Sequence, residues 1–319
     1  MKHLISKCVV IITFSLIVYL SSFLIPFPSE QSHYLAANID KQVLLDAHDN
    51  GTVILVGGSH GTFSYDAATL QASLDRPVIN STLHAGLGLR FILDSVLPYV
   101  QEDDMILLIL EHGHYLQSPN SINSDILRRM VTINYNNTAP YINHPQQLFA
   151  IFNYHSEYTL NMISRTYIND SSRDCLNSVY CRSSFTPLGN INSSYQVVTE
   201  QSQQSIQTAV ERPHSYEQYN QLNISAINLL NQFNEQIQQR GAEVYIIMPA
   251  LPATIMNNSP DDLQQFLTLI ENNVDIEVIN QPYGIPDFLY YDTIYHLNHM
   301  GKAMNTLYMT AFIQNAINP

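Results

Sequence analysis

Hydrophobic and polar positions divide this chain of 319 residues into three regimes. The first is an uncharged run from residue 8 to residue 27, CVVIITFSLIVYLSSFLIPF. At about 1.5 Å per helical residue, a run of that length matches the thickness of a bilayer core. Lys2 and Lys7 precede it, so residues 1–27 are expected to be a membrane anchor whose amino terminus stays cytoplasmic while the remainder crosses. A cleaved signal peptide is the other reading, and it would give a secreted protein. The segment that follows, PFPSEQSHY, offers no prompt small-x-small cleavage site.

The second regime alternates continuous apolar runs with segments of helical period. TVILVG at 52–57, PVIN ending at Asn80, MILLIL at 105–110, AEVYIIM at 242–248 and DIEVIN at 275–280 are rich in β-branched residues. Runs of this kind read as strands buried on both faces. Between them, helices are expected at 66–74, around Phe91, Ile92, Val96 and Leu97, at 216–240 before Gly241, at 260–272 behind a Ser259 cap and Pro260, and at 301–316. Residues 28–50 read as a linker and approach helix that ends at Asn50 and Gly51. Strands alternating with helices over 51–319 predict an α/β fold with three layers, a doubly wound and mainly parallel five-stranded sheet.

The third regime, residues 117–215, breaks the rhythm. It is rich in Asn, Ser and Tyr, holds one expected helix around LFAIFNYHSEYTLNMISRTY, and is too long for an ordinary connection. It is read as an insertion that packs over the sheet edge and shapes a substrate site.

Charge narrows the partners. With 13 Lys and Arg against 27 Asp and Glu, the net charge of -14 repels phosphate backbones and argues against nucleic acid. The cysteines agree with export: Cys175 and Cys181 in DCLNSVYCR are spaced to close a short disulfide loop in an oxidising compartment, or else remain two thiols. No cofactor motif is present.

The chemistry gathers where strands end. The first apolar run stops in GGSHG and delivers Ser59, at the carboxyl edge where open α/β sheets place ligands. A hydroxyl needs a base to act as a nucleophile, and YYDTIYHLNHMG supplies Asp292 and His296 just before the last helix. Simpler roles compete: Ser59 as a helix cap, His296 bonded to backbone, Asp292 capping the final helix. EHGHY after the third strand offers Glu111, His112 and His114, which have the chemistry of a metal site as well as of a hydrogen-bonded turn. Tyr115, Tyr290, Tyr291 and Tyr295 are read first as core packing, with an aromatic wall for a sugar as the other use.

Taken together, strand-G-x-S, the N-x-x-x-x-x-G-x-G loop from Asn80, the polar turn after the third strand, and D-x-x-x-H-L-N-x-x-G resemble the SGNH/GDSL hydrolase superfamily. The resemblance covers about 50–116 and 240–315 and is closest to its membrane-anchored or secreted branch of esterases and polysaccharide O-acetyltransferases. It implies a flavodoxin-like fold, with Ser59 as nucleophile, His296 as general base and Asp292 as its orienting carboxylate. It further implies an acyl ester, of a carbohydrate or cell-envelope polymer, as substrate. Members usually place the Asp three residues before the His, and here the spacing is four. Gly58 stands where many members have Asp. The oxyanion donors fall on Thr82 and Gly86 after the second strand and on His112 and His114 after the third, where members commonly have Asn. A missing donor typically costs about 100-fold to 1000-fold in rate, so a catalytically weak scaffold in an envelope or polysaccharide assembly is the competing expectation.

Overall fold

The computed structural model describes residues 2–22, 28–168, 178–211 and 221–317. Helix α1 spans Lys2–Ser22 and α2 spans Ala37–Asp46, followed by strand β1, Val53–Gly57. The chain then forms α3 (Ser59–Ser64), α4 (Ala67–Leu74), β2 (Val78–Asn80), α5 (Leu89–Asp94) and β3 (Met105–Ile109). The long intervening segment contributes α6 (Ser124–Ile133), α7 (Pro145–Ile168) and α8 (Glu200–Glu211). Regular alternation resumes with α9 (Ile224–Gln238), β4 (Glu243–Ile247), β5 (Leu251–Pro252), α10 (Pro260–Asn273), β6 (Glu277–Val278), β7 (Gly284–Ile285) and α11 (His299–Ile317).

Five strands form one parallel sheet in the order β2-β1-β3-β4-β6. This is the flavodoxin-like doubly wound order, and its switch point lies between β1 and β3. Because side chains alternate across a strand, Ile54, Val56, Ile106, Leu108, Val244 and Ile246 face one layer, where they pack with Leu45, Phe91, Leu230 and Phe266. Val53, Leu55, Met105, Leu107, Ile109 and Ile247 face the other, against Leu70, Met309 and Ile313. Both faces are therefore covered, as the uninterrupted apolar runs require.

Several boundaries differ from expectation. Only Glu277–Val278 of the fifth run pairs in the sheet. A separate parallel pair, β5 with β7, was not foreseen; two residues per strand are too few to leave a pattern. Helix α9 begins at Ile224, where the Asn223 side chain accepts from the Ser225 and Ala226 amides, so residues 221–223 lie before it and 216–220 lie outside the described residues. Ser259 precedes α10 without a side-chain capping bond. Among the described residues no helix is long and apolar enough to cross a membrane. The spanning segment expected at 8–27 is thus not shown; α1 covers its first part and residues 23–27 lie outside the described residues.

The described part of the 117–215 segment is fastened to the sheet edge by buried groups. Leu188 O accepts from the Asn80 amide at 2.8 Å. Buried Lys41 donates to Asn80 O at 2.7 Å and to Gly189 O, while buried Lys302 donates to Ile191 O. Burial pulls both ammonium groups down, Lys302 to about 8 and Lys41 well below its usual range. Gln196 Nε2 bridges Phe63 O and Leu297 O at 2.8 and 2.7 Å. The segment thereby ties α3 to the loop before α11.

At the end of β1 the backbone leaves no room for a side chain: a Cβ on Gly57 would lie 2.0 Å from Ile109 O. Gly57→Ala is expected to destabilise the protein by about 1–3 kcal/mol, the range for forced overpacking. Gly113→Ala, whose Cβ would meet nothing nearer than 3.5 Å, should stay within about 0.5 kcal/mol. Urea unfolding of the two variants checks the contrast.

Candidate active site

Helix α3 opens at Ser59 from an extended Gly58 that has no side chain to cap it. The amides of Ser59, His60 and Gly61 therefore have no intrahelical acceptor. Glu111, just beyond β3 and 4 % exposed, supplies one: its Oε1 accepts from the His60 amide at 2.9 Å and from the Ser59 hydroxyl at 3.4 Å. The carboxylate lies directly over Gly58, where a Cβ would sit 2.0 Å from Oε2 and 2.5 Å from Oε1. An Asp at 58 would collide with a like charge, so glycine at 58 and glutamate at 111 are complementary.

The second half of the site comes from the loop before α11. His296 Nδ1 donates to Asp292 Oδ1 at 2.8 Å, and the spacing of four is accommodated by a turn in which the His296 amide donates to Thr293 O at 3.3 Å. Nδ1 carries the proton in this arrangement, which leaves Nε2 as the basic nitrogen. Among the described residues Nε2 makes no hydrogen bond. The imidazole lies flat on Phe63, centroids 3.9 Å apart and planes 7° apart. Phe63 is four residues after Ser59, on the same face of α3. His296 is therefore held against the helix that Ser59 begins, although Ser59 bonds Glu111 and not His296.

A third contributor was not foreseen. The Tyr180 hydroxyl donates to Asp292 Oδ2 and lies 3.4 Å from His296 Nδ1. Burial, then the Asp292 charge, pushes the Tyr180 phenol far up, so it stays a donor. Tyr180 precedes Cys181, which is disulfide-bonded; Cys175 lies outside the described residues. Burial raises the Asp292 carboxyl, but the hydrogen bonds and charge of His296 and the Tyr180 hydroxyl outweigh it and hold the group below its ordinary 3.8.

The other sequence candidates are occupied. Thr82 is fully buried and spends its amide and hydroxyl on Asn80 Oδ1. The Gly86 amide donates to His84 Nδ1 at 2.9 Å. His112 Nδ1 meets the Tyr295 hydroxyl at 2.8 Å, and His114 places its ring nitrogens 3.2 Å from Glu111 O and 3.2 Å from Ala85 O. Among the described residues no group of three or more His, Cys, Asp or Glu is disposed to hold a metal ion. Burial lowers His60 and His84 to about 4 and His112 to about 3, so these imidazoles are neutral near pH 7. His60 Nδ1 faces Tyr295 O at 2.8 Å, which makes it the protonated nitrogen. Tyr115 and Tyr290 are core residues, 1 % exposed, whereas Tyr291 and Tyr295 flank the site.

No family model matches the chain, and no curated protein matches it.

The Asp292 shift has a testable sign. A depressed carboxyl contributes stability that is fully present above its unfolded pKa and is lost as pH falls through the lower folded value. Tyr180→Phe removes one donor, so the Asp292 titration should move upward toward 3.8 and the pair should break at a higher pH. Carboxyl-carbon NMR titration of the two proteins measures this, and an unmoved midpoint would show that Tyr180 does not support Asp292.

Proposed function

We propose that the chain is a membrane-tethered, extracytoplasmic serine esterase or O-acyltransferase of the SGNH type. One observation carries the reading: an Asp292–His296 pair at 2.8 Å, its Nε2 unbonded, lies flat on the helix that opens with Ser59. The sheet order and the position of Ser59 at the β1 edge of the switch point support it. The uncharged run at 8–27 and the disulfide-bonded Cys181 support an anchor and an oxidising compartment.

In the proposed reaction the Ser59 side chain turns from Glu111 toward His296, a change between staggered rotamers. His296 Nε2 takes the hydroxyl proton as Oγ bonds to the ester carbonyl carbon, and Asp292 stabilises the resulting imidazolium. The developing oxyanion would be met by the unpaired Ser59 and Gly61 amides at the start of α3. Collapse expels the alcohol, which leaves with the proton from His296. Water or a sugar hydroxyl then attacks the acyl-serine by the reverse sequence.

The weak scaffold remains the second reading because the Ser59 hydroxyl rests on Glu111 and the donors at Thr82, Gly86 and His114 are committed elsewhere. A carboxylate beside a developing oxyanion also opposes it.

Full-length protein treated with a fluorophosphonate probe and with p-nitrophenyl acetate decides between them. The enzyme reading expects one label on Ser59 and ester turnover, both abolished by Ser59→Ala, with His296→Ala reducing turnover by about 1000-fold or more. Wild-type protein inert to both reagents would favour the scaffold, and turnover that survives Ser59→Ala would sink the serine assignment.

A further inference from the structure

The loop after β2 is tied to both sides of the turn that presents Ser59. The Ser81 amide donates to Leu55 O at 2.8 Å and the Leu83 amide to Gly57 O at 3.2 Å, so the backbone continues alongside β1 to its last residue. From the other side, Asn80 Nδ2 donates to Gly61 O at 3.0 Å, Thr62 Oγ1 donates to Leu83 O at 3.3 Å, and the Tyr34 hydroxyl donates to the same oxygen. His84 follows Leu83 and is thereby held beside the first turn of α3, the turn that Ser59 opens.

The ring of His84 is fixed in one tautomer. Its Nδ1 accepts from the Gly86 amide at 2.9 Å, so the proton of the neutral imidazole sits on Nε2. Among the described residues Nε2 has no hydrogen-bond partner, and it is not sealed from solvent. A Cβ on Gly86 would come within 3.1 Å of the ring, so glycine there gives the imidazole its room, and Tyr34 meets it edge to face at 6.4 Å. Ala85 and Gly86 also border, with Glu111, a cavity of about 350 Å³, so open space adjoins the loop.

Burial, then the nearby His296, lowers His84 to about 4; Glu111 pulls the other way, and His33 and His114 lower it further. The ring is therefore uncharged at pH 7 and donates without adding a second cation beside His296 when that base takes up a proton. Neutral imidazole can polarise a carbonyl in this manner.

We propose that His84 is the side-chain oxyanion donor of this site, its Nε2–H meeting the carbonyl oxygen of the ester that Ser59 attacks. The proposal rests on the serine-enzyme reading. As Ser59 Oγ bonds to the carbonyl carbon and its proton passes to His296 Nε2, the π pair of the carbonyl moves onto oxygen. His84 holds that oxygen by a hydrogen bond and transfers no proton. When the carbonyl re-forms, the bond to the alcohol oxygen breaks and the alcohol leaves with the His296 proton. His84 thus supplies the donor that Thr82, Gly86 and His114 spend elsewhere, and it counters the charge of Glu111.

Two variants separate the donor from the ring. His84→Phe keeps a ring against Tyr34 and has no N–H, whereas His84→Gln loses the ring and keeps both an N–H donor and an acceptor for the Gly86 amide. With full-length protein and p-nitrophenyl acetate, His84→Phe is expected to lower kcat/KM by about 100-fold or more, chiefly in kcat, and His84→Gln to recover about tenfold of that loss. Affinity for phenylboronic acid, whose serine adduct is tetrahedral, should fall in parallel across the three proteins. The side chain is only part-buried, and circular dichroism verifies that both variants fold. A packing role predicts the reverse order. His84→Phe within about threefold of wild type, or His84→Gln slower than His84→Phe, would overturn the assignment. Absence of Ser59-dependent release in the wild type would refute the serine-enzyme reading and the donor with it, whereas Ser59-dependent release undiminished by His84→Phe would refute the donor alone.

Discussion

The contact on which the site depends is that of the buried Glu111 carboxylate with the exposed start of α3. A helix that begins directly at a strand end leaves amides unpaired, and an anion there is favoured by both hydrogen bonding and the helix dipole, typically by about 0.3–2 kcal/mol. Glu111 meets the His60 amide at 2.9 Å, and the absence of a side chain at Gly58 gives it room. The same carboxylate holds the Ser59 hydroxyl and borders the adjoining cavity. One side chain therefore sets the resting direction of the Ser59 hydroxyl, neutralises part of the helix terminus and borders the adjoining pocket. In the proposed reaction, Ser59 has to move from Glu111 to His296.

The opposite side of the site is built by long-range packing. Phe63 supplies a flat seat for His296, Asp292 fixes its Nδ1 proton, and Tyr180 reaches across 112 positions of sequence to support Asp292. Tyr180 is in turn tied down by its neighbour Cys181 and by the antiparallel bridge from Cys181 to His33. Lys41, Lys302 and Gln196 fasten the remainder of that segment to β2, α3 and the loop before α11. A region that interrupts the strand-helix alternation thus becomes part of the wall around the candidate base.

Legibility in the sequence followed the range of the interaction. The main strands were readable because burial on both faces demands continuous apolar runs, and VILVG and MILLI meet that demand along their whole length. The Asp292–His296 pairing was readable because both partners lie in one short loop. The link between Gly58 and Glu111 was only half visible: Gly58 stands where many SGNH members have Asp, but its complementarity with Glu111 depends on the β1–β3 register, which brings Gly57 opposite Ile109. Tyr180 left no local signal, since a tyrosine beside a cysteine in an Asn-rich and Ser-rich segment has no period that points to Asp292. Thr82, placed by motif among the oxyanion donors, turns inward because Asn80 offers it an acceptor two residues away.

The proposed chemistry requires Ser59 to leave Glu111 and meet His296. A crystal structure of the full chain after reaction with a phosphonate ester tests this. The expected adduct has phosphorus bonded to Ser59 Oγ, the phosphonyl oxygen on the Ser59 and Gly61 amides, and His296 Nε2 within about 3 Å of an adduct oxygen. An unmodified Ser59 still bonded to Glu111 under saturating reagent, or phosphorus on any other residue, would contradict the claim.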